Sequence, residues 1–421
     1  MARRGEAAPV PDVTIIGAGI IGVCCALSLQ ERGLSVAIID RLPPGEATSH
    51  GNAGIISPWS CVPQAMPGIW KSVPGWMLDP EGPLRARMQD LPKLLPWAAR
   101  FLANTRHERV HAISDAMEML VQGNVEAYRH HLKGTGREGL IRDSWLVNVY
   151  RRNIRPCLDD LSWRLRIDRG APVDIVSGRE LRDIEPELSE AIDVAAIQKA
   201  QARAVNPGEI CKALAEKARR QGAEVLHRDV TALRPGTADS FVLETTIGAL
   251  HAKKVVLCAG IWSTELLKPL GIRLPLISER GYHLEFIDPG VELNNSILDV
   301  ESKFIISSME VGVRAAGTSE FADVDAPPNY KRADMLASMS KRIIPRLNTT
   351  KTRRWVGARP SFPDNLPVVG RVPKHRGLYA AFGHSHYGLG MGPATARLLT
   401  EDILGKHPNA TRSSVSMDRF M

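Results

Sequence analysis

Three glycines in the run Gly17-Ala18-Gly19-Ile20-Ile21-Gly22, with Asp40 18 residues beyond the last of them, can hold a pyrophosphate and a ribose. Gly17 permits a tight turn, Gly19 lets phosphate oxygens approach the backbone, and Gly22 lets a helix pack closely on a strand. A helix starting here presents unpaired N–H groups and a partial positive charge to a phosphate. Asp40 is placed to accept hydrogen bonds from a ribose diol.

The neighbouring residues can build the elements that such chemistry requires. Val13-Thr14-Ile15-Ile16 is a short β-branched run suited to a buried parallel strand. Val23 to Arg32 reads as a helix closed by Gly33, and Ser35 to Ile39 as a second strand ending at Asp40. Strand, glycines, helix, strand and acid in register predict a dinucleotide site. They do not choose between a nicotinamide and a flavin, because the two cofactors share the ADP half. No second GxGxxG follows a strand downstream. Val255 to Gly260 predicts a further buried strand of the same sheet, some 240 residues after the first, unlike a contiguous NAD domain.

Composition places the chain among ordinary globular proteins. Its 421 residues are 44% hydrophobic and 24% charged, enough for two domains and a buried core. The net charge of +8 is spread along the chain, with no block that reads as a nucleic-acid arm. The six cysteines form no CxxC and stand beside no histidines at zinc spacing, so reduced thiols and no metal are expected. MARRGEAAPVP lacks the apolar core of a secretory signal, and no run of about 18 apolar residues predicts a membrane span. A cytoplasmic protein is expected, with peripheral contact at the inner face of the cell membrane left open.

Ser49-His50-Gly51-Asn52-Ala53-Gly54-Ile55-Ile56-Ser57-Pro58 is similar to the S-x-x-N-A-G-x-x-S segment of D-amino acid dehydrogenases. These belong to the D-amino acid oxidase/glycine oxidase superfamily of FAD enzymes. Three more segments match in the family's order: Val255 to Gly260, Trp355 to Gly370 and Gly383 to Met391. The resemblance runs from about residue 12 to about 406. It implies an α/β fold, a Rossmann-like FAD-binding domain interleaved with an antiparallel-sheet substrate domain. The FAD domain would comprise 12–62, 175–275 and 352–406, and the substrate domain 63–174 and 276–351. Residues 1–11 would be a flexible N-terminus and 407–421 a C-terminal tail. Ser144 to Arg151, Gly281 to Phe286, Phe304 to Ser308 and Val311 to Ala316 fit strands of the substrate sheet, and the pattern from Ile69 to His131 is helical.

The resemblance also implies roles. Arg359, in Ala358-Arg359-Pro360, matches the position that binds the substrate carboxylate, and a planar, always-charged fork suits that task. Gly388-Leu389-Gly390-Met391 would contact the flavin, with Pro393 opening a helix from Ala394 to Leu404. Arg41, Ser49, His50, Asn52, Ala53, Gly54, Ile55, Val230, Ala259 and Gly260 complete the expected cofactor contacts. His384, His386 and His50 would flank the ring, each able to donate a hydrogen bond or simply satisfied by neighbouring backbone. Alternation lets only one of Tyr282 and His283 face the substrate. The oxidases' substrate-sheet tyrosine is missing around Ser302-Lys303-Phe304, leaving Lys303 or Phe304 in that area. No cysteine follows Cys258, so FAD is expected to be non-covalent.

The leading expectation is FAD-dependent dehydrogenation of a D-amino acid or a cyclic secondary amino acid such as D-hydroxyproline, by hydride transfer to flavin N5. Electrons would pass to a quinone or carrier. An oxygen-using oxidase, or a flavoprotein subunit docking with a second subunit, are the alternatives. Leu84 to Phe101 reads as amphipathic, open to a membrane or to packing on its own domain.

Overall fold

The computed structural model describes residues 10–151, 154–237, 239–406 and 410–421. Residues 1–9 of the expected N-terminal segment and 407–409 of the expected tail lie outside them.

Two sheets carry the architecture. The first has six strands in the order Glu224–His227, Val36–Asp40, Val13–Ile16, Val255–Leu257, Leu378–Phe382 and Val368–Arg371. The first five run parallel and the last is antiparallel. Val255–Leu257 returns to the opening strand, with Thr14 beside Val255 and Ile16 beside Leu257. Helix Ile20–Gln30 lies on this sheet, packed against helices Pro207–Arg220 and Gly388–Ile403. It is apolar all round, with nine of its eleven residues buried, as a helix enclosed by neighbours must be.

The second sheet has nine strands. Its path runs Thr352–Ser361, Ile277–Phe286, Val313–Phe321, Phe304–Ser308, Ser296–Asp299, Leu146–Arg151, Ile192–Gln198 and Val173–Ser177, with Leu84–Ala86 beside Val313–Phe321. It is antiparallel except where Ser296–Asp299 meets Leu146–Arg151 and where Leu84–Ala86 pairs, both parallel. Strand residues 175–177, 192–198 and 352–361 therefore sit in the large sheet, beyond the expected substrate segments. Their alternating apolar residues give no sign of which sheet they join, because a strand's pattern records only that one face is buried.

Period two sorts the central strand Ile277–Phe286 into two faces. Tyr282, Leu284 and Phe286 pack with Ala333, Leu336, Met339 and Ile343 of helix Lys331–Ile343. Burying each such side chain contributes about 1.5–3 kcal/mol. The odd-numbered Glu279, Gly281, His283 and Glu285 take the other face, toward the nucleotide side.

Three local expectations change. Residues 84–101 are not one helix: Leu84–Ala86 is a strand, Met88–Asp90 a 3-10 turn, and helix Leu91–Ala103 follows. The helix expected from Ala394 begins at Gly388 and holds Pro393 inside it. Pro393 has no N–H for the Leu389 carbonyl, and the Tyr128 hydroxyl donates to that oxygen instead at 2.5 Å. The C-terminal tail packs down: Val415 and Met417 are buried, Phe420 stacks on Phe362 at 4.8 Å, and Arg419 pairs with Asp364 at 2.8 Å.

Candidate active site

A cavity of 1780 Å³ runs between the two sheets, from the glycine turn and Asp40 at one end to Arg359 at the other. At the first end the backbone does most of the work. Gly17 has φ +115, and a Cβ there would strike the Cys258 carbonyl. A Cβ on Gly22 would strike the carbonyl of Gly17, so helix and turn approach as the glycine spacing requires. Ala18 N–H donates to Asp40 Oδ2 at 2.6 Å and Leu42 N–H to Oδ1 at 2.9 Å, tying the turn to the end of the second strand. Asp40 still lines the cavity, and each carboxylate oxygen keeps a second lone pair for a ribose. Ser49 reaches across to cap the helix, accepting from Ile20 N–H at 3.0 Å. The Arg41 guanidinium lies 4.1 Å over the Trp262 ring, forming a flat wall.

Gly17, Gly19, Ile20, Ile21, Asp40, Arg41, Ser49, Asn52, Ala53, Ile55, Val230, Ala259, Gly260, Gly388, Leu389 and Gly390 all line this cavity. Ala18, Gly22, Gly54 and Met391 do not; they hold the backbone that does. Met391 N–H is already bonded to the Tyr387 carbonyl at 2.9 Å, and its side chain is in the core. A dinucleotide diphosphate fits these residues: a cramped glycine turn, the first N–H groups of a helix, and an acid at the next strand end.

At the other end, side chains pair across the register of Ile277–Phe286 and Thr352–Ser361. Glu279 stands opposite Arg359, Gly281 opposite Gly357, and His283 opposite Trp355. A Cβ on Gly281 would occupy the Arg359 guanidinium, and one on Gly357 or Gly51 the Trp355 indole. The missing side chains thus make room for the two large ones. Glu279 is 4% exposed. Its Oε1 accepts from His386 Nε2 at 2.5 Å and Ser319 Oγ at 2.7 Å, and its Oε2 from Ser361 Oγ at 3.0 Å. Arg359 Nη1 donates to Ser319 Oγ at 2.9 Å and lies 3.5 Å from Glu279. Burial opposes ionisation of Glu279, but His386, Arg359 and Ser319 outweigh it and hold its carboxyl below the usual range. Burial pushes His386 below its ordinary value in spite of Glu279.

The remaining expected residues stand outside this ion group. His384 lines the cavity, yet its Nε2 is bonded to Thr395 Oγ1 at 3.0 Å, and burial lowers it to about 3. The His50 ring is not among the lining groups, and its Nδ1 is buried without a partner among the described residues. The His50 carbonyl instead accepts from Arg314 at 3.1 Å. Arg314 also donates to the Asn52 carbonyl at 2.7 Å and pairs with Glu285 at 2.6 Å, clamping this loop to the sheet. Tyr282 is among the residues lining the cavity, but its side chain packs on the other face of its strand: the hydroxyl donates to Glu320 Oε2 at 2.6 Å, and burial raises it to about 12. His283 faces the loop, bonded to the Gly51 carbonyl at 3.1 Å and stacked on Trp355 at 4.9 Å. Of the pair at the oxidases' tyrosine position, Lys303 lines the cavity and Phe304 is core.

Glu279, Ser319 and Trp355 were not singled out from sequence. The alternation of Glu279, Gly281, His283 and Glu285 held a usable signal, since three ionisable groups on one face of a buried strand demand partners. Among the described residues one further grouping of ligand type, exposed Glu31 and His130 with buried His131 within 4.8 Å, lines no part of the cavity.

Comparison with known proteins agrees with this geometry. A family model described as DAO, FAD dependent oxidoreductase, matches residues 12–402. A D-amino-acid oxidase of Bradyrhizobium diazoefficiens is 34% identical over 97% of this chain and 99% of its own length. A D-amino acid dehydrogenase of Rhizobium rhizogenes is 28% identical over 97% and 99%. Among solved structures, glycine oxidase from Geobacillus kaustophilus superposes with a TM-score of 0.72 at 23% identity, covering 98% of this chain and 99% of that one. With the family model spanning nearly all of the chain and the glycine turn opening onto the cavity, the chain belongs to the DAO family of FAD-dependent oxidoreductases and binds FAD non-covalently.

Proposed function

We propose that the chain oxidises the α C–N bond of an amino acid, with a D-amino acid or a cyclic secondary amino acid such as D-hydroxyproline as substrate. The observation that carries this is the Arg359–Glu279–His386 group, built on buried Glu279, at the far end of the cavity that begins at the glycine turn. FAD, when bound, supplies the hydride acceptor; the protein's task is to hold the α-carbon in place and manage charge. Arg359 keeps donors free of Ser319 and Glu279 for a substrate carboxylate. Glu279 and the hydroxyl of Ser319 hold the guanidinium in one orientation. His386 donates Nε2–H to Glu279, which leaves Nδ1 as the lone-pair nitrogen able to take a proton from the substrate ammonium. The first turn of helix Gly388–Ile403 adds backbone N–H groups and a positive dipole end.

A quinone is the acceptor this reading favours. Helices Ile69–Leu78 and Leu91–Ala103 line the cavity through Ile69, Val73, Leu94 and Trp97; Leu78 is exposed, and Leu95 and Leu102 are exposed while also lining the cavity. Exposed apolar helix faces of this kind suit a membrane surface. Among the described residues no helix is long and apolar enough to cross one. The second reading, an oxygen-using oxidase, is favoured by the 34% identity to a D-amino-acid oxidase.

Anaerobic mixing of the purified yellow protein with D- and L-amino acids, glycine, sarcosine and D-hydroxyproline tests the reaction. Bleaching of the flavin by one of them is the expected result, and no bleaching by any overturns it. A quinone or dye assay against peroxide detection then separates the two acceptors, and gel filtration reports a second subunit.

A further inference from the structure

A second guanidinium lines the same cavity, and its surroundings differ from those of Arg359. Arg166 sits on the short helix Leu161–Ile167, beside Leu161 and Ser162, which also face the cavity. Its Nη1 donates to the Ser162 carbonyl at 2.7 Å, and the guanidinium carbon lies 5.4 Å from the centre of the Trp163 ring. Its Nε is buried with no hydrogen-bond partner among the described residues. The groups acting on it are Cys61, Tyr387 and Tyr150, none of them a carboxylate. The other arginines of this segment are neutralised: Arg164 by Asp159 and Asp168, and Arg169 by Asp115 and Glu118. A half-buried guanidinium with an orphaned Nε and no carboxylate beside it is costly, so an anion from outside the chain would relieve it.

Lys303 strengthens this. It also lines the cavity, on the wall formed by Leu146, Leu298 and Ile305, and holds φ +58. That left-handed backbone is uncommon for a residue with a side chain. The acid acting on it, Asp299, is already paired with Arg151 at 2.9 Å. Cys61 Sγ lies 3.9 Å from the Leu165 carbonyl and the Tyr387 hydroxyl donates to the Val62 carbonyl at 2.9 Å, so residues 61–62 join the Arg166 helix to Tyr387, which directly follows His386 at the substrate end of the cavity. Against Arg166, Lys303 and Arg359 the lining offers there Glu279, committed to Arg359 and His386, and the exposed Asp160.

We infer that Arg166, aided by Lys303, forms a second anion subsite that takes the distal carboxylate of an acidic amino acid whose α-carboxylate is held by Arg359. This rests on the amino-acid reading of the cavity and deepens it. The two cations ask for a ligand with two carboxylates, and a guanidinium is the group that binds one bidentately.

The holoenzyme tests this in two independent ways. Anaerobic flavin reduction by aspartate and glutamate enantiomers is compared with alanine and valine in the wild type, Arg166→Met and Arg166→Lys. Acidic amino acids are expected to reduce the flavin at least about tenfold more efficiently in kcat/KM. Arg166→Met should lower their kcat/KM by about 100-fold while leaving neutral amino acids within about threefold, and Arg166→Lys should restore part of it. An acidic-to-neutral ratio unchanged by Arg166→Met overturns the subsite. Binding of glutarate and butyrate, read from perturbation of the flavin spectrum, decides the same point without turnover. Tighter binding of glutarate that weakens in Arg166→Met supports the subsite even if no amino acid bleaches the flavin, an outcome that removes only the proposed reaction. Wild type that binds glutarate no tighter than butyrate overturns the subsite, whether or not the Met variant folds.

Discussion

The two ends of the cavity are built on different principles. The nucleotide end is made of backbone: a glycine turn, a helix start and the end of a strand, all between Val13 and Asp40. The substrate end is made of side chains brought from strands far apart in sequence: Glu279, Ser319, Arg359 and Ser361, with His386 from the loop beyond. Backbone recognition tolerates almost any side chain that points away, but no Cβ where two chains touch. Side-chain recognition reverses this, since each charged partner in a buried group supports the others.

Substitutions can break or sharpen this contrast. Gly17→Val puts a branched side chain into the Cys258 carbonyl at φ +115, and is expected to weaken FAD binding by about 100-fold or more. Flavin content of the purified protein checks it; a normally yellow variant would show that the turn is not cramped. Arg359→Ala should leave the flavin bound and lower kcat/KM by about 100-fold, since a charge-assisted bond is worth about 1.5–3 kcal/mol. Unchanged turnover would remove Arg359 from the site.

His384 gives a pH test between the two ends. Its folded value of about 3 lies below the ordinary 6.5, so the folded state binds fewer protons than the unfolded one. The stability this neutral ring contributes is present above pH 6.5 and is lost as pH falls toward 3, with a slope of up to about 1.4 kcal/mol per pH unit. Melting temperature against pH should slope less steeply in His384→Gln, and parallel curves would show that the buried ring is not titrating.

Gly281→Ala should displace the Arg359 guanidinium and lower kcat/KM by about tenfold with the flavin retained, as expected if a missing side chain makes the space. Trp262→Ala removes the ring under Arg41 and should weaken FAD only a few-fold, since an exposed cation–π contact is worth about 0.5–1 kcal/mol. A larger loss, read by flavin titration of the apoprotein, would show that side chains matter at the nucleotide end too.

Legibility in the sequence followed the same division. The glycine turn, Asp40 and the returning strand Val255–Leu257 were readable because glycine spacing and β-branched runs act through local backbone geometry. Arg359 was readable through its motif. Its partners were not, because Glu279 lies 80 residues earlier and meets it only through strand register. Tyr282 and His283 were the sharpest ambiguity: alternation put them on opposite faces, and the fold commits both, the Tyr282 hydroxyl to Glu320 and the His283 ring to the Gly51 carbonyl.

Sequence alone therefore determined the nucleotide turn and the return of Val255–Leu257 to its sheet, since each follows from neighbouring residues, while the interleaving of two regions and the choice of Arg359 as candidate carboxylate anchor came through the family resemblance. Tertiary structure decided which face of the large sheet looks into the cavity, which histidine joins the ion group, and that Pro393 sits inside a helix with Tyr128 serving the carbonyl it leaves free. The reason is physical. Local backbone preferences act over a few residues, whereas the pairing of buried charges depends on strands that meet only after the chain has folded.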